Sequence, residues 1–257
     1  MFSAAMAPEE IPPTPKKVFF FDIDNCLYPA SKLIQPRQDT SICTNSGVEA
    51  GVHERMADMI HVYFEKHLDL SPQEAIDLHA KYYAKYGLAI GGLMRHHDID
   101  PLHFNSEVDD ALPLDDMIQP RIDLVRLLQD VDRSKVKLWL FTNAYVNHGK
   151  RVVKILGVDK MFDGITYCDY TKLPFVSKPQ EEMFAKAMVE AGTHNMEDCY
   201  FVDDNYNNCN MAEKLGWNSA HLVEEGAPVP VDQACQHQIS HLDDLRQAFP
   251  QLFKQDV

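Results

Sequence analysis

The chain has 257 residues, 45% hydrophobic and 25% charged, with a formal net charge of −15 at pH 7. This is the composition of a soluble globular protein, large enough for one domain or for a core carrying a smaller insert. No apolar run approaches the ~20 residues of a membrane span, and so acidic a surface repels nucleic acid as a bulk partner.

Residues 1–17 are Pro-rich and polar, without the apolar stretch of a secretion signal, and are expected to form a disordered tail. Val18-Phe19-Phe20-Phe21 is wholly apolar and ends in Asp22, as expected of a parallel strand buried on both faces. The next stretch, 31–117, breaks this style. Val48, Val52, Met56, Met59, Ile60 and Phe64 recur at helical spacing, a second helical pattern runs over 72–86, and 101–108 suggests a third. The block is expected to be an all-helical cap domain with hinges near 31–35 and 113–117, Gly91-Gly92 being a flexible link within it. Beyond it, strands are expected at 137–141, 164–167 and 199–202, alternating with helices over 119–130, 149–156, 179–190 and 208–215. Pro179 is expected in the first turn of its helix. The whole reads as a doubly wound, Rossmann-like parallel α/β core formed by 18–30 and 118–257. Ligands of such sheets bind at the carboxyl ends of the strands.

Those ends carry the chemistry. Asp22-Ile23-Asp24 puts two carboxylates just past the first strand. One can bind metal and attack phosphorus while the other handles a proton, although alone the pair fits a turn or an N-cap equally well. Thr142-Asn143 offers a hydroxyl and backbone N–H groups to phosphate oxygens, or closes an Asx turn. Lys178 stands at a helix start, where an ammonium can meet phosphate. Asp203-Asp204 brings hard oxygen ligands of the kind Mg²⁺ takes. On an acidic protein such local positive charge, from lysine or metal, is what a phosphorylated ligand requires.

In that order the four elements resemble the haloacid dehalogenase superfamily, from about Val18 to Leu222. The resemblance implies that Asp22 is a nucleophile and Mg²⁺ ligand, and that Asp24 is the acid/base and lends its carbonyl to the metal. Thr142 and Asn143 would hold the transferred phosphoryl group, and Lys178 would neutralise it and restrain Asp22. Asp203 and Asp204 would complete the metal site, with Asn208 orienting it. A threonine usually stands where this chain has Cys26, a poorer donor. The second acid of the first motif favours phosphoryl over carbon–halogen chemistry.

The stretches Asp22-Ile-Asp-Asn-Cys-Leu-Tyr28, Tyr83 to Leu93 and His103 to Asp110 are similar to the fungal pyrimidine 5′-nucleotidase branch. That similarity implies a small phosphorylated metabolite as substrate, a nucleoside 5′-monophosphate such as UMP or CMP. A sugar-phosphate phosphatase, a phosphomutase and an inactive binding protein are the alternatives. Arg95 and Tyr86 are expected to bind the non-phosphate part of the substrate, although a solvated cap turn accounts for them equally well. Six cysteines without paired spacing read as free thiols of the cytoplasm or nucleus. No cysteine is followed six places on by arginine, no phosphate-binding glycine motif is present, and His96-His97-Asp98 suits a surface better than a metal.

Overall fold

The computed structural model describes residues 16–29 and 51–255, so 1–15 of the tail expected over 1–17, the first hinge at 31–35 and Val48 of the first helical pattern lie outside the described residues, whereas Lys17 already opens the first strand. Strand β1 (Lys17–Phe21) is followed by four helices, α1 (Val52–Leu68), α2 (Pro72–Tyr86), α3 (Ala89–His96) and α4 (Pro101–Glu107), and the short α5 (Leu114–Met117). The chain then alternates through α6 (Ile122–Asp130), β2 (Val136–Phe141), α7 (Val146–Ile155), β3 (Gly164–Thr166), α8 (Glu181–Ala191), β4 (Cys199–Asp203), α9 (Tyr206–Lys214) and β5 (Asn218–Leu222). It ends with β6 (His237–Ile239) and the short α10 (Leu245–Ala248). None of the described helices is long and apolar enough to cross a membrane.

Every strand pairs in parallel, in the order β3-β2-β1-β4-β5-β6. The order reverses direction about β1, so the crevice of this doubly wound sheet opens where β1, β2 and β4 end. The side chains of β1 alternate between two layers. Phe19 and Phe21 join a cluster with Leu124, Leu127 and Leu128 of α6 and Val152 of α7, whereas Val18 and Phe20 join Met183 and Phe184 of α8 and Trp217. Burying each phenylalanine contributes roughly 2–3 kcal/mol, which fixes β1 centrally and Asp22 at its rim.

Helices α1–α4 close around a separate apolar cluster that includes Phe64, Tyr82, Leu93 and Phe104 and takes in Tyr170 and Phe175 from the loop after β3. Helix α2 forms where the sequence carries its complete set of signals. The Ser71 hydroxyl accepts from Glu74 N–H, the Glu74 carboxylate accepts from Ser71 N–H at 2.9 Å, Pro72 opens the helix and Gly87 closes it with φ of 75°.

Three expectations are corrected. Gly91-Gly92 is no flexible link but the buried middle of α3, where a β-carbon on Gly92 would lie 2.0 Å from Cγ of Tyr82. The glycine is there for close helix approach. Pro179 stays outside its helix, because Ser177 and Gln180 close a turn ahead of α8 (Gln180 N–H to Ser177 carbonyl, 2.9 Å; Ser177 N–H to Gln180 Oε1, 2.8 Å). Two strands, β5 and β6, extend the sheet beyond the four expected from the sequence.

Candidate active site

Asp22 is the first residue after β1, and its backbone N–H continues the sheet by donating to the Val202 carbonyl at 3.0 Å. The chain then turns tightly, with the Leu27 N–H donating to the Ile23 carbonyl at 3.0 Å and Asn25 in the left-handed region at φ of 59°. Asp203 ends β4, and the Asn205 side chain caps α9 by accepting from the N–H of Asn207 and Asn208. These two strand ends face each other because β1 and β4 pair.

Between them lies the Lys178 ammonium, 1% exposed. It donates to Asp22 Oδ1 at 2.7 Å, to Asp203 Oδ2 at 2.6 Å and to the Phe141 carbonyl at 2.7 Å. All three ammonium protons are engaged, and two carboxylates hold the lysine charged far above its usual range despite burial. Asn143 fixes the Lys178 backbone, since its Oδ1 accepts from Lys178 N–H at 2.7 Å and its Nδ2 donates to the Lys178 carbonyl at 3.0 Å. The Asn143 side chain therefore positions Lys178, leaving the backbone and Thr142 as the groups free to meet a phosphate here. Thr142 is buried, its Oγ1 accepting from Ala144 N–H at 2.9 Å. Asn208 Nδ2 donates to both oxygens of Asp203 at 3.1 and 3.0 Å.

Asp22, Asp203 and Asp204 each offer an oxygen within 4.8 Å of the others. Burial pushes the Asp22 carboxyl well above the ordinary range; Lys178 opposes the rise, and Asp203, Asp204 and Asp24 add to it. Burial, then Asp203, carries Asp204 up to about 7. One ammonium thus under-compensates these carboxylates, and an all-oxygen donor set with surplus negative charge fits a hard cation such as Mg²⁺.

Asp24 stands apart from that cluster. Its side chain is 31% exposed and its Oδ1 accepts from the Tyr28 hydroxyl at 2.6 Å. The same oxygen is 2.7 Å from Nε2 of His148, a buried residue of α7 that the sequence reading did not single out. Burial alone would raise Asp24, but the charge and hydrogen bond of His148, helped by Tyr28 and Lys178, hold it below its ordinary value. For His148, burial works downward and is outweighed by Asp24 and then Asp109, bringing it up to about 9. His148 is therefore an imidazolium at neutral pH, and the only sequence signal for it was its place one turn past the Thr142-Asn143 strand end. Cys26, in contrast, turns away. Its thiol donates to the Val202 carbonyl at 3.8 Å, and burial keeps it protonated.

Asp22, Asp24, Thr142, Lys178 and the Asp203-Asp204 pair line one cavity of about 950 Å³, shared with the helical insert. Tyr86 and Arg95 line it from the far side, the guanidinium 4.8 Å from the Tyr86 ring centroid and hydrogen-bonded to the Gly91 carbonyl at 2.7 Å. Tyr83 crosses to share a hydrogen bond with Asn205.

Comparison with known proteins shows the family and the fold. Residues 16–216 match the model of the family described as haloacid dehalogenase-like hydrolase. The chain is 37% identical over 229 residues to Phosphate metabolism protein 8 of Saccharomyces cerevisiae, covering 85% of this chain and 66% of that protein. It thus spans just under two thirds of that relative's length. Among solved structures, a HAD phosphatase from Thermococcus onnurineus superposes with a TM-score of 0.55 at 14% identity, covering 90% of this chain and 96% of that one. CbbY from Rhodobacter sphaeroides, in complex with xylulose-(1,5)bisphosphate, gives 0.57 at 13% identity, covering 88% and 94%. At such identities the two structures show a shared fold.

Proposed function

Because the chain belongs to the haloacid dehalogenase-like hydrolase family, we propose that it is a Mg²⁺-dependent phosphatase of small phosphomonoesters, acting through an aspartyl-phosphate on Asp22. The observation that carries this reading is the buried Lys178 bridge between Asp22 and Asp203 at adjoining strand ends. It holds a carboxylate nucleophile in a fixed place beside a positive charge, which is what phosphoryl transfer asks of a protein.

Asp22, Asp203 and Asp204, with the Asp24 carbonyl, would hold the metal. When bound, Mg²⁺ neutralises charge on the nucleophile and the phosphate. Thr142 and neighbouring backbone N–H groups receive the phosphate oxygens. Asp22 attacks phosphorus as the P–O bond to the alcohol breaks, and the leaving oxygen takes a proton that the His148 imidazolium passes on through Asp24. Water then attacks the phosphorus, Asp24 takes its proton, and the Asp22–phosphorus bond breaks to release phosphate and the free carboxylate. Lys178 holds Asp22 through both halves.

The substrate is a pyrimidine nucleoside 5′-monophosphate. The likeness of the first motif and of two insert segments to the pyrimidine 5′-nucleotidase branch supports this. So does a cavity whose volume suits a mononucleotide and whose wall carries Tyr86 and Arg95. A panel of mononucleotides and sugar phosphates, assayed for phosphate release with Mg²⁺ and then with EDTA, tests it. Fastest release from UMP or CMP, abolished by EDTA, is expected. Preference for a sugar phosphate refutes the nucleotide assignment, isomerisation without release points to a mutase, and no turnover of any compound refutes the enzyme.

A further inference from the structure

The helical insert holds a second group of metal-ligand side chains, apart from the cavity. His67 lies in the last turn of α1, while His103 and Glu107 stand four residues apart on α4. That spacing puts the latter two on one helix face. One donor atom from each of the three falls within 4.8 Å of the others. His67 Nε2 is 2.8 Å from Glu107 Oε2, and His103 Nε2 is 3.4 Å from Glu107 Oε1. We infer that these three side chains form a site for one divalent transition-metal ion of the zinc type, clamping α1 to α4.

Two imidazoles and one carboxylate, with a fourth position left to water, make a zinc donor set, whereas the all-carboxylate cluster in the core suits Mg²⁺. A tetrahedral ion with bonds of about 2.0–2.1 Å holds its donors about 3.3 Å apart. His103 Nε2 already has that separation from Glu107 Oε1, while His67 lies against the other oxygen, Oε2, so the Glu107 carboxylate has to turn to present one oxygen to both imidazoles. A metal-binding histidine needs its other nitrogen oriented by a partner. His103 Nδ1 lies 3.3 Å from the hydroxyl of Tyr63, a residue 2% exposed. A His103 Nδ1–H donated to that hydroxyl leaves the Nε2 lone pair facing Glu107. The same Tyr63 ring packs against His67 with centroids 4.2 Å apart, so one buried side chain supports both imidazoles.

Lys66 is the competitor. Its ammonium donates to Glu107 Oε1 and Oε2 at 2.9 and 3.1 Å. At 59% side-chain exposure it can swing into water when the ion arrives, and its removal should tighten the site rather than weaken it.

The test uses the full chain, stripped of metal and then held in saturating Mg²⁺ so that the core carboxylates are occupied. Zinc is titrated against a chromophoric chelator, and cobalt(II) absorption reports the geometry. The wild type is expected to take one zinc equivalent and to give the intense cobalt spectrum of a tetrahedral site. His103→Ala and Glu107→Gln each weaken zinc at least tenfold, and Lys66→Met strengthens it. The Lys66 variant leaves all three ligands in place, so it keeps the test decisive if a ligand variant fails to fold. Absence of zinc uptake in Mg²⁺ overturns the assignment, as does wild-type affinity in a folded His67→Ala/His103→Ala variant or weakened binding in Lys66→Met.

Discussion

Replacing His148 by leucine removes the one cation that, among the described residues, is ion-paired with Asp24, without changing the bulk of α7. The cost can be worked two ways. Raising an imidazole from 6.5 to about 9 corresponds to about 3 kcal/mol at ~1.4 kcal/mol per pH unit. Breaking a buried ion pair from one side typically costs about 3–5 kcal/mol. Because Asp24 keeps 31% of its side-chain surface exposed, water compensates part of the loss, and the low end, about 2–3 kcal/mol, is expected. The sign with pH follows from the proton. His148 binds it more tightly folded than unfolded, so its contribution is complete below about pH 6.5 and disappears as pH rises through about 9. Urea unfolding of metal-free wild type and His148→Leu at pH 6 and pH 10 reads the effect directly. The gap should be wide at pH 6 and close to nothing at pH 10. With Mg²⁺, the same variant should lose roughly a hundredfold or more in kcat with a smaller change in KM, as for loss of positioned acid–base catalysis. Equal stabilities at pH 6, or a gap that persists unchanged at pH 10, would refute the ion pair.

Two further outcomes are expected elsewhere in the chain. Gly92→Ala should lower the melting temperature, overpacking against Tyr82 costing about 1–3 kcal/mol. A flexible link would instead gain up to about 1 kcal/mol from the better helix former, so the sign of the shift decides between the two. Asp109 is buried, and burial carries its carboxyl from 3.8 up to about 7. The folded state therefore binds more protons than the unfolded one between those values, and stability falls as pH rises across them, by at most about 4 kcal/mol. Asp109→Asn should abolish that decline and melt higher than wild type at pH 8, with the advantage gone below pH 4. A variant that melts lower at pH 8 would contradict it.

Much of the core was legible because its signals are local. An apolar run that stops at an aspartate marks a buried strand with a carboxylate at its end, and this held for β1 and for β4. The capping signals of α2 lie within the helix and its two flanking residues. What escaped depends on contacts between distant segments. Strand β5, Asn218–Leu222, buries Ser219 and His221, whose polarity hides the strand, and each finds its partner only in the fold: Ser219 Oγ donates to the Cys209 carbonyl at 3.3 Å, and His221 Nε2 lies 3.0 Å from the Asp204 carbonyl. The Gly91-Gly92 pair reads alike as a hinge or as a close contact until the Tyr82 ring is in place. His148 looks like any helical histidine, because Asp24 is 124 residues away. Asn143 was seen as a site residue, but its grip on the Lys178 backbone spans 35 residues and leaves no trace in either segment.

In the proposed reaction Asp22 becomes covalently bonded to phosphorus during turnover. Borohydride reduces an acyl phosphate to an alcohol, so quenching the protein during turnover of UMP with Mg²⁺, reducing it and sequencing its peptides by mass spectrometry reads the site of attachment. Reduction at position 22, present with substrate and lost without it, is the expected result. Modification at another carboxylate, or turnover that continues at full rate in an Asp22→Ala protein, would contradict the account.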